Sequence, residues 1–189
     1  MSRIFDQGNA VLNGFVKELL ALEQSDHVLE IGFGTGKLIS EMAELTGEGL
    51  IEGIDFSGTM VAMAARRNKT QMANGRVKLE QGDFEKTAYP DNRFNKVCST
   101  NTIYFWPNPE SYLNRILTLL KPGGNLILAF EDRAQLEGKK LNSDLFRVYE
   151  ENEVKQLLVA SGFVDVDIRS KKVGSSIYHC AVAAKSNLI

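Results

Sequence analysis

Short apolar runs alternate along this chain with segments whose apolar residues recur at helical spacing. We predict strands at 27–31, 49–55, around Val77 and Leu79, at 94–100 and 125–130, with two closing strands around 164–168 and 176–184. Strands and helices that alternate in this way pack as a parallel sheet with helices on both of its faces. The pattern therefore predicts an α/β fold.

The segments between the strands have the apolar periodicity of helices. An opening helix within residues 1–25 has one apolar face, and a late helix is expected to end at Gly162. The helix after the first strand has an apolar stripe formed by Leu38, Met42 and Leu45. Stripes of this kind predict helices that pack against the sheet.

Local signals indicate where several elements begin or end. Asn108 can cap a helix, and Pro109 suits the first helical position because its missing N–H has no partner there. Pro122-Gly123-Gly124 is expected to break the chain before the fifth strand. The stretch 131–150 is less periodic and longer than most connections, which is typical of a segment that closes over a substrate.

Composition and charge narrow the class of protein. The 189 residues are 43% hydrophobic and 24% charged, which fits one globular domain over residues 1–189. The formal charge of −2 predicts no nucleic-acid partner, and the basic run Arg66-Arg67-Asn68-Lys69 is interpreted as a solvated helix end. Cys98 and Cys180 lie in apolar runs without metal-ligand spacing, so both are expected in the core. We see no signal peptide or membrane-spanning stretch and expect a cytoplasmic location.

The segment Glu30-Ile31-Gly32-Phe33-Gly34-Thr35-Gly36 closes the first predicted strand and opens a helix. Ligands of open parallel sheets bind beyond the carboxyl ends of the strands, where glycines let a ligand approach the backbone closely. A dinucleotide fingerprint would need its third glycine where this chain has Lys37, and a P-loop would need Ser or Thr where it has Leu38. The spacing therefore favours a nucleotide-like ligand without a pyrophosphate.

Two aspartates follow the second and third predicted strands. Asp55 is placed to accept hydrogen bonds from both hydroxyls of a ribose, and Asp83 to accept one from an exocyclic amine. The structural alternatives are a helix-capping role for Asp55 and a turn role for Asp83. Phe56 is expected against an adenine face, and Ser57 is expected to cap the next helix. The glycine segment, Asp55 and Asp83 are suited to ligand binding at three successive strand ends, and together they predict an adenosine-like ligand.

Four motifs in this order resemble those of the class I S-adenosylmethionine-dependent methyltransferases. They are Val28 to Gly36, Gly53-Ile54-Asp55-Phe56-Ser57 followed by Met60, Gly82-Asp83-Phe84, and Leu120-Lys121-Pro122-Gly123-Gly124. The likeness spans roughly residues 10 to 185 and is strongest to the small-molecule, methyltransferase type 11-like branch. It implies a Rossmann-like, doubly wound, seven-stranded sheet, mostly parallel with an antiparallel last strand and with helices on both faces. One departure is Phe94-Asn95, where family members often have Phe-Asp at a position that is usually structural.

The resemblance implies that S-adenosylmethionine is the cofactor and suggests which residues contact it. Glu30 and Gly32 to Gly36 would surround its methionine and ribose parts, and Asp55 would hold the ribose. The other implied contacts are Phe56 and Met60 at the adenine, Asp83 and the Phe84 backbone at the adenine edge, and Asn101 near the methyl donor.

No residue is assigned a catalytic role. Methyl transfer from a sulfonium depends chiefly on orientation, and a base is needed only when the nucleophile must lose a proton. His27 is expected on the surface at the entry end of the first strand, and His179 is expected to pack in the last strand. Tyr104, Phe105 and Trp106 are expected either to line an apolar acceptor pocket or to pack in the core, with Phe146 and Tyr149 closing over the substrate.

The sequence therefore predicts an enzyme that methylates a small, fairly apolar metabolite. The alternative from another class is a protein that binds the cofactor without catalysis, because an orienting enzyme need not display a base. A nicotinamide-dependent oxidoreductase is disfavoured by Lys37 and by the absence of a substrate domain. A nucleic-acid methyltransferase is disfavoured because the chain has no basic extension. The acceptor atom and the oligomeric state are left open.

Overall fold

The computed structural model describes residues 2–138 and 146–187. Its strands are β1 (His27–Ile31), β2 (Leu50–Asp55), β3 (Val77–Gln81), β4 (Phe94–Thr100), β5 (Leu120–Glu131), β6 (Val164–Val173) and β7 (Ser176–Ala184). They form one seven-stranded sheet in the order β3-β2-β1-β4-β5-β7-β6. The pairs among β1 to β5 are parallel, whereas β7 is antiparallel to both β5 and β6. The predicted mostly parallel sheet with an antiparallel last strand is confirmed.

Helices cover both faces of this sheet, as predicted. They are α1 (Ser2–Leu20), α2 (Lys37–Leu45), α3 (Gly58–Arg67), α4 (Lys69–Ala73), α5 (Pro109–Leu119), α6 (Arg133–Gly138) and α7 (Glu151–Ala160). One layer of the core joins α1, α2 and α3 to the sheet, and the other joins α5, α6 and α7 to it. Because side chains alternate along a strand, the neighbours Val28 and Leu29 of β1 are both fully buried, one in each layer.

Side-chain caps fix where two helices begin behind the strand ends. Asn108 Oδ1 accepts the Ser111 N–H at 3.1 Å, and Pro109 occupies the first turn of α5. Ser57 Oγ accepts the Met60 N–H at 3.4 Å at the start of α3. Both predicted caps are confirmed, and each satisfies one of the donors that a helix leaves unpaired at its N-terminus.

One local prediction was confirmed and one was wrong. The helix predicted from the spacing of Leu38, Met42 and Leu45 is present as α2, in which Leu38 and Met42 are buried and the terminal Leu45 is 51% exposed. Pro122-Gly123-Gly124 does not break the chain before β5 but lies within it, at an irregularity where the pairing of β5 with β4 shifts register. Lys185 supplies partners there, since its carbonyl accepts the Gly123 N–H at 3.0 Å. A bulge with its own hydrogen bonds therefore replaces the expected break.

At the amino end of β1, His27 is not an exposed side chain but belongs to a cluster with Glu52 and Arg93. His27 is half-buried, with Nε2 2.6 Å from Glu52 Oε1, and Arg93 pairs with the same carboxylate. Asn95 Oδ1 accepts the His27 N–H at 3.0 Å and a hydrogen bond from Lys121 Nζ at 3.1 Å. The prediction that His27 lies on the surface was wrong. Asn95, where family members often have Asp, therefore still supplies an oxygen that accepts hydrogen bonds in a structural role.

The remaining structural predictions concern the cysteines, membrane spans and the segment 131–150. Cys98 and Cys180 are fully buried in the core, as predicted. Among the described residues, no helix is long and apolar enough to cross a membrane. Residues 139–145 of the segment predicted to close over a substrate lie outside the described residues.

Candidate functional site

The glycine segment forms a tight turn between β1 and α2. Gly32, Gly34 and Gly36 have φ angles of 73°, 53° and 70°, in the left-handed region that strongly favours glycine. At Gly36 a Cβ atom would lie 2.5 Å from the Ala64 Cβ of α3, so the turn and α3 approach as closely as a residue without a side chain allows.

Two residues at the end of α3 hold this turn in place. Arg67 Nη1 donates to the Thr35 hydroxyl at 2.7 Å and to the Thr35 carbonyl at 3.0 Å. Asn68 Nδ2 donates to the carbonyls of Gly36 and Ala64, both at 3.0 Å. The interpretation of this basic run as a solvated helix end was therefore wrong for Arg67. The sequence carried no signal for the role, because the contacts join residues that are 32 positions apart.

Asp55 joins the glycine turn to the start of α3. Its Oδ2 accepts the Gly34 N–H at 2.8 Å, and its Oδ1 accepts the Ser57 N–H at 2.9 Å. Ser57, rather than Asp55, caps the helix. Each carboxylate oxygen has accepted one backbone hydrogen bond and retains a lone pair for another donor. The side chain is thus held in one orientation at the carboxyl end of β2, with room to accept further hydrogen bonds.

Glu30 contributes a buried carboxyl group to a small cavity beside the turn. This cavity has a volume of about 90 Å³ and is lined by the turn together with Asn9, Asn13, Glu30, Lys37, Leu38 and Met60. Glu30 is 3% exposed, and its Oε2 has no hydrogen-bond partner. Burial raises the pKa of Glu30 well above its ordinary value, and the negative charges of Asp55 and Glu41 raise it further. A cationic ligand group in this cavity would supply the missing partner.

A chain of hydrogen bonds connects α1 to the carboxyl ends of β4 and β5. Asn101, directly after β4, has a left-handed φ of 56° and donates through Nδ2 to Asn9 Oδ1 at 3.1 Å. The Tyr104 hydroxyl donates to Asn101 Oδ1 at 3.2 Å and accepts the Glu131 N–H at 2.6 Å. The Asn101 amide is therefore held from both ends. Sequence reasoning missed Asn9 and Asn13, since both lie within the apolar pattern of an ordinary amphipathic helix.

The residues expected at an adenine divide into exposed and buried groups. Phe56 is 81% exposed at the start of α3, whereas the Phe84 side chain is buried in the core against Tyr112. Asp83 Oδ1 accepts the Glu85 N–H at 3.2 Å, and Lys86 Nζ lies 3.2 Å from Asp83 Oδ2. The turn role considered for Asp83 is therefore present in the structure.

The aromatic residues expected at an acceptor pocket also differ in burial. Tyr104, Trp106 and Tyr149 are buried in the core layer that contains α5 and α7. Phe105 is 60% exposed, and the ring of Phe146 packs against both Phe105 and Tyr104, with centroid distances of 5.3 and 4.7 Å. The structure thus leaves the Phe105 ring exposed, packed against the partly buried Phe146 and the buried Tyr104.

His179 is 2% exposed in β7 and packs there, as predicted. No group of three or more side chains arranged to hold a metal ion occurs among residues 2–138 and 146–187.

Sequence comparisons find similar proteins over nearly the whole chain. The family described as "Methyltransferase domain" matches residues 22–176. An uncharacterized methyltransferase, YdaC of Bacillus subtilis, is 30% identical over 94% of this chain and 93% of its own length. The ubiquinone/menaquinone biosynthesis C-methyltransferase UbiE of Pseudomonas fluorescens is 30% identical over 66% of this chain, and the match spans about half, 52%, of that relative.

Solved structures share the fold at lower sequence identity. The [4+2]-cyclase SpnF matches with a TM-score of 0.79 and 21% identity, covering 95% of this chain and 82% of SpnF. A SAM-dependent methyltransferase from Aquifex aeolicus matches with a TM-score of 0.74 and 22% identity, covering 92% of this chain and 89% of that protein. The family match, together with a relative of 30% identity over almost the full chain, decides the assignment. The chain belongs to the class I S-adenosylmethionine-dependent methyltransferases.

Proposed function

We propose that the cavity beside the glycine turn holds the methionine part of S-adenosylmethionine. The supporting observation is the buried Glu30 carboxyl group, whose Oε2 has no partner. The ammonium group of the cofactor is a suitable donor to this oxygen, since hydrogen bonds to charged groups are stronger than neutral ones. The left-handed glycines leave room for the rest of this moiety to approach the backbone.

The ribose and adenine follow along the strand ends in this proposal. Asp55, oriented by the N–H groups of Gly34 and Ser57, accepts hydrogen bonds from the ribose hydroxyls. Phe56 offers an exposed ring for stacking on the adenine, and Met60 borders the cavity from α3. Asp83 and the Phe84 backbone lie at the next strand end, where they read the adenine edge.

When bound, the cofactor supplies a methyl group on a positively charged sulfur, from which a nucleophile displaces it in line. The protein has to orient the two reactants, and good orientation contributes roughly 7–11 kcal/mol to lowering such barriers. Asn101 is held at the carboxyl end of β4 by Asn9 and Tyr104, so its amide has one fixed orientation. We assign Asn101 to orienting the reacting groups and assign no general base.

The acceptor in this proposal is a small molecule. Phe105 offers an exposed ring, backed by the partly buried Phe146, next to Tyr104, whose hydroxyl contacts Asn101, so an apolar part of an acceptor can lie close to the proposed methyl position. UbiE, whose name gives a C-methyltransferase of quinone biosynthesis, supports the small-molecule class.

Two measurements test this function. Calorimetry with S-adenosylhomocysteine should show binding, and Glu30→Gln should weaken it while an exposed control, Glu44→Gln, does not. Incubation of the enzyme with a metabolite extract and methyl-labelled S-adenosylmethionine, followed by mass identification, should give a labelled product of low molecular mass. Label found only in protein or nucleic acid would contradict the small-molecule assignment.

A second candidate is a protein that binds S-adenosylmethionine without transferring its methyl group. The observation in its favour is the similar fold of SpnF, which is named a [4+2]-cyclase rather than a methyltransferase. In that case S-adenosylhomocysteine would bind tightly, but no extract fraction would acquire the label.

A further inference from the structure

Two hydroxyl groups link the end of β1 to the segment that follows β4. Ser99 and Ile31 are register partners where β4 pairs with β1, and Ser99 is fully buried. The Ser99 hydroxyl donates to the Ile31 carbonyl at 2.7 Å, and its oxygen also contacts the Thr102 hydroxyl. Because a hydroxyl group has a single proton, Thr102 is the donor in the second contact. We call Ser99 and Thr102 the hydroxyl pair.

Both ends of the hydroxyl pair adjoin residues assigned to the reaction above. Ile31 directly precedes Gly32, where the glycine turn begins, and Thr102 directly follows Asn101. Gly32 is also fixed from the side of β2, because its N–H donates to the Ile54 carbonyl at 2.8 Å. The hydroxyl pair thus connects the turn assigned to the cofactor with the residue assigned to orient the reacting groups.

Close packing adds to these hydrogen bonds. A Cβ atom on Gly32 would overlap the Cγ2 methyl group of Thr102, so this methyl group fills the space that a side chain would need. Protein interiors are close-packed and transmit strain. A displacement of Thr102 would therefore be transmitted to the glycine turn.

The backbone of Asn101 depends on its neighbours for support. Its left-handed φ of 56° is uncommon for residues other than glycine, although asparagine adopts it more often than most. The Asn101 N–H donates to the Ala129 carbonyl of β5 at 2.9 Å, and the next residue is anchored by the hydroxyl pair. Asn9 and Tyr104 thus hold the side chain of Asn101, whereas Ala129 and the hydroxyl pair hold its backbone.

We propose that Ser99 and Thr102 are positioning residues that set the separation between the cofactor in the glycine turn and the Asn101 amide. This inference rests on the proposed function, because that function assigns Asn101 to the reacting groups. In-line methyl transfer depends on orientation, and a misplacement of about 1 Å can cost roughly 100-fold in rate. Loss of the hydroxyl pair should therefore lower kcat far more than it lowers cofactor affinity.

Substitutions of Thr102 separate its hydroxyl from its methyl group. Thr102→Val keeps a methyl group against Gly32 and removes the hydroxyl, whereas Thr102→Ser keeps the hydroxyl and removes the methyl group. The matched control is Thr46→Val, which removes another buried hydroxyl, one that donates to the Met42 carbonyl at 3.1 Å. Thr46 lies between the end of α2 and the start of β2, at the edge of the sheet opposite to the proposed site.

Amide NMR of the free protein tests the positioning without an acceptor. The Asn101 side-chain amide should give one sharp pair of proton signals in the wild type, because its hydrogen bonds hold it in one orientation. Thr102→Val and Ser99→Ala should both broaden this pair, since each removes the same hydrogen bond. Thr102→Ser and Thr46→Val should leave it sharp. A pair that stays sharp in both Thr102→Val and Ser99→Ala would overturn the proposal.

Turnover supplies the second arm, with methyl-labelled S-adenosylmethionine and a saturating amount of the extract fraction that the wild type labels. Thr102→Val and Ser99→Ala should each lower kcat by roughly 10- to 100-fold, while S-adenosylhomocysteine affinity in calorimetry stays within about twofold of the wild type. The double variant should lose no more than either single variant, because both substitutions remove one shared link. Thr102→Ser should recover most of the loss.

The two arms separate failure of this proposal from failure of the proposed function. A kcat that is insensitive to both Thr102→Val and Ser99→Ala would overturn the positioning role, as would an equal loss in Thr46→Val. If the wild type labels no extract fraction, the proposed function fails, and with it the role of the hydroxyl pair in methyl transfer. The NMR signals then decide by themselves whether the hydroxyl pair holds Asn101.

Discussion

The pH dependence of stability tests whether Glu30 is as buried and unpartnered as the structure shows. Because burial raises the pKa of Glu30, the folded protein keeps the proton at pH values where the unfolded chain, with an ordinary pKa of about 4.3, has released it. The folded state then binds more protons than the unfolded state. Raising the pH through this window therefore lowers the stability of the wild type relative to Glu30→Gln, which carries no titrating group at this position.

The expected magnitude follows from linkage alone. Between the ordinary pKa and the raised pKa of Glu30, the difference in unfolding free energy between wild type and Glu30→Gln should grow by about 1.4 kcal/mol per pH unit. For a chain of this size, that corresponds to a change of about 3–6 °C per pH unit in the difference between their melting temperatures. Below the ordinary pKa both states are protonated, and the difference should be constant.

Urea unfolding of both proteins at half-unit steps from pH 5 to pH 8 measures this slope, with Glu44→Gln as the exposed control. Saturating S-adenosylhomocysteine should flatten the slope, because an ammonium group against Oε2 stabilises the charged carboxylate. Parallel stability curves for wild type and Glu30→Gln would refute the inference that this carboxyl group is desolvated. A slope that persists unchanged with the ligand bound would refute its role as the partner of the ammonium group.

The contacts predict the effects of four other substitutions. Asp55→Ala should weaken S-adenosylhomocysteine binding by about 3 kcal/mol, roughly 100-fold in calorimetry, because charged acceptors of the ribose hydroxyls are lost. Unchanged affinity would remove the ribose assignment. Gly36→Ala should lower the free energy of unfolding by about 2–4 kcal/mol in urea titrations, since it combines a left-handed φ with a clash against Ala64. A loss below about 0.5 kcal/mol, the ordinary range of a surface substitution, would contradict that packing. Tyr104→Phe should destabilise the protein by about 1–3 kcal/mol, because it removes the hydrogen bonds that the hydroxyl makes with the Glu131 N–H and Asn101 Oδ1, whereas Tyr149→Phe should be neutral or stabilising. Equal effects of the two substitutions in urea unfolding would contradict the assigned hydrogen bonds.

Elements with a strong local signal could be predicted from the sequence. The β4 strand has the predicted bounds, because a short apolar run between turn segments indicates a buried strand. The α5 helix begins where Asn108 and Pro109 favour a helix start. Pro122-Gly123-Gly124 was misread because a proline-glycine pair is equally compatible with a turn and with a bulge. Its hydrogen bonds to Lys185, more than 60 residues later, select the bulge.

The candidate site could be predicted only in part, for a related reason. Glycines and carboxylates at the ends of β1 and β2 are identifiable because strand ends are identifiable, and parallel pairing places them at one edge. The contacts that hold them come from elsewhere in the chain, as with Arg67 at Thr35. The aromatic segment after β4 was ambiguous, because the sequence does not reveal that Tyr104 and Trp106 turn inward while Phe105 remains exposed.

The burial of Glu30 shows why a motif alone does not describe a site. The motif places a carboxyl group on β1, but α1 supplies Asn9 and Asn13 to the cavity around it. Burial without a partner destabilises the free protein, and that cost is offset only when a cation binds. The two effects have one physical origin, so a substitution that stabilises the free protein at this position should weaken cofactor binding. In the proposed site, packing from α1 is thus what makes a strand-end carboxyl group suited to bind the cofactor's ammonium group.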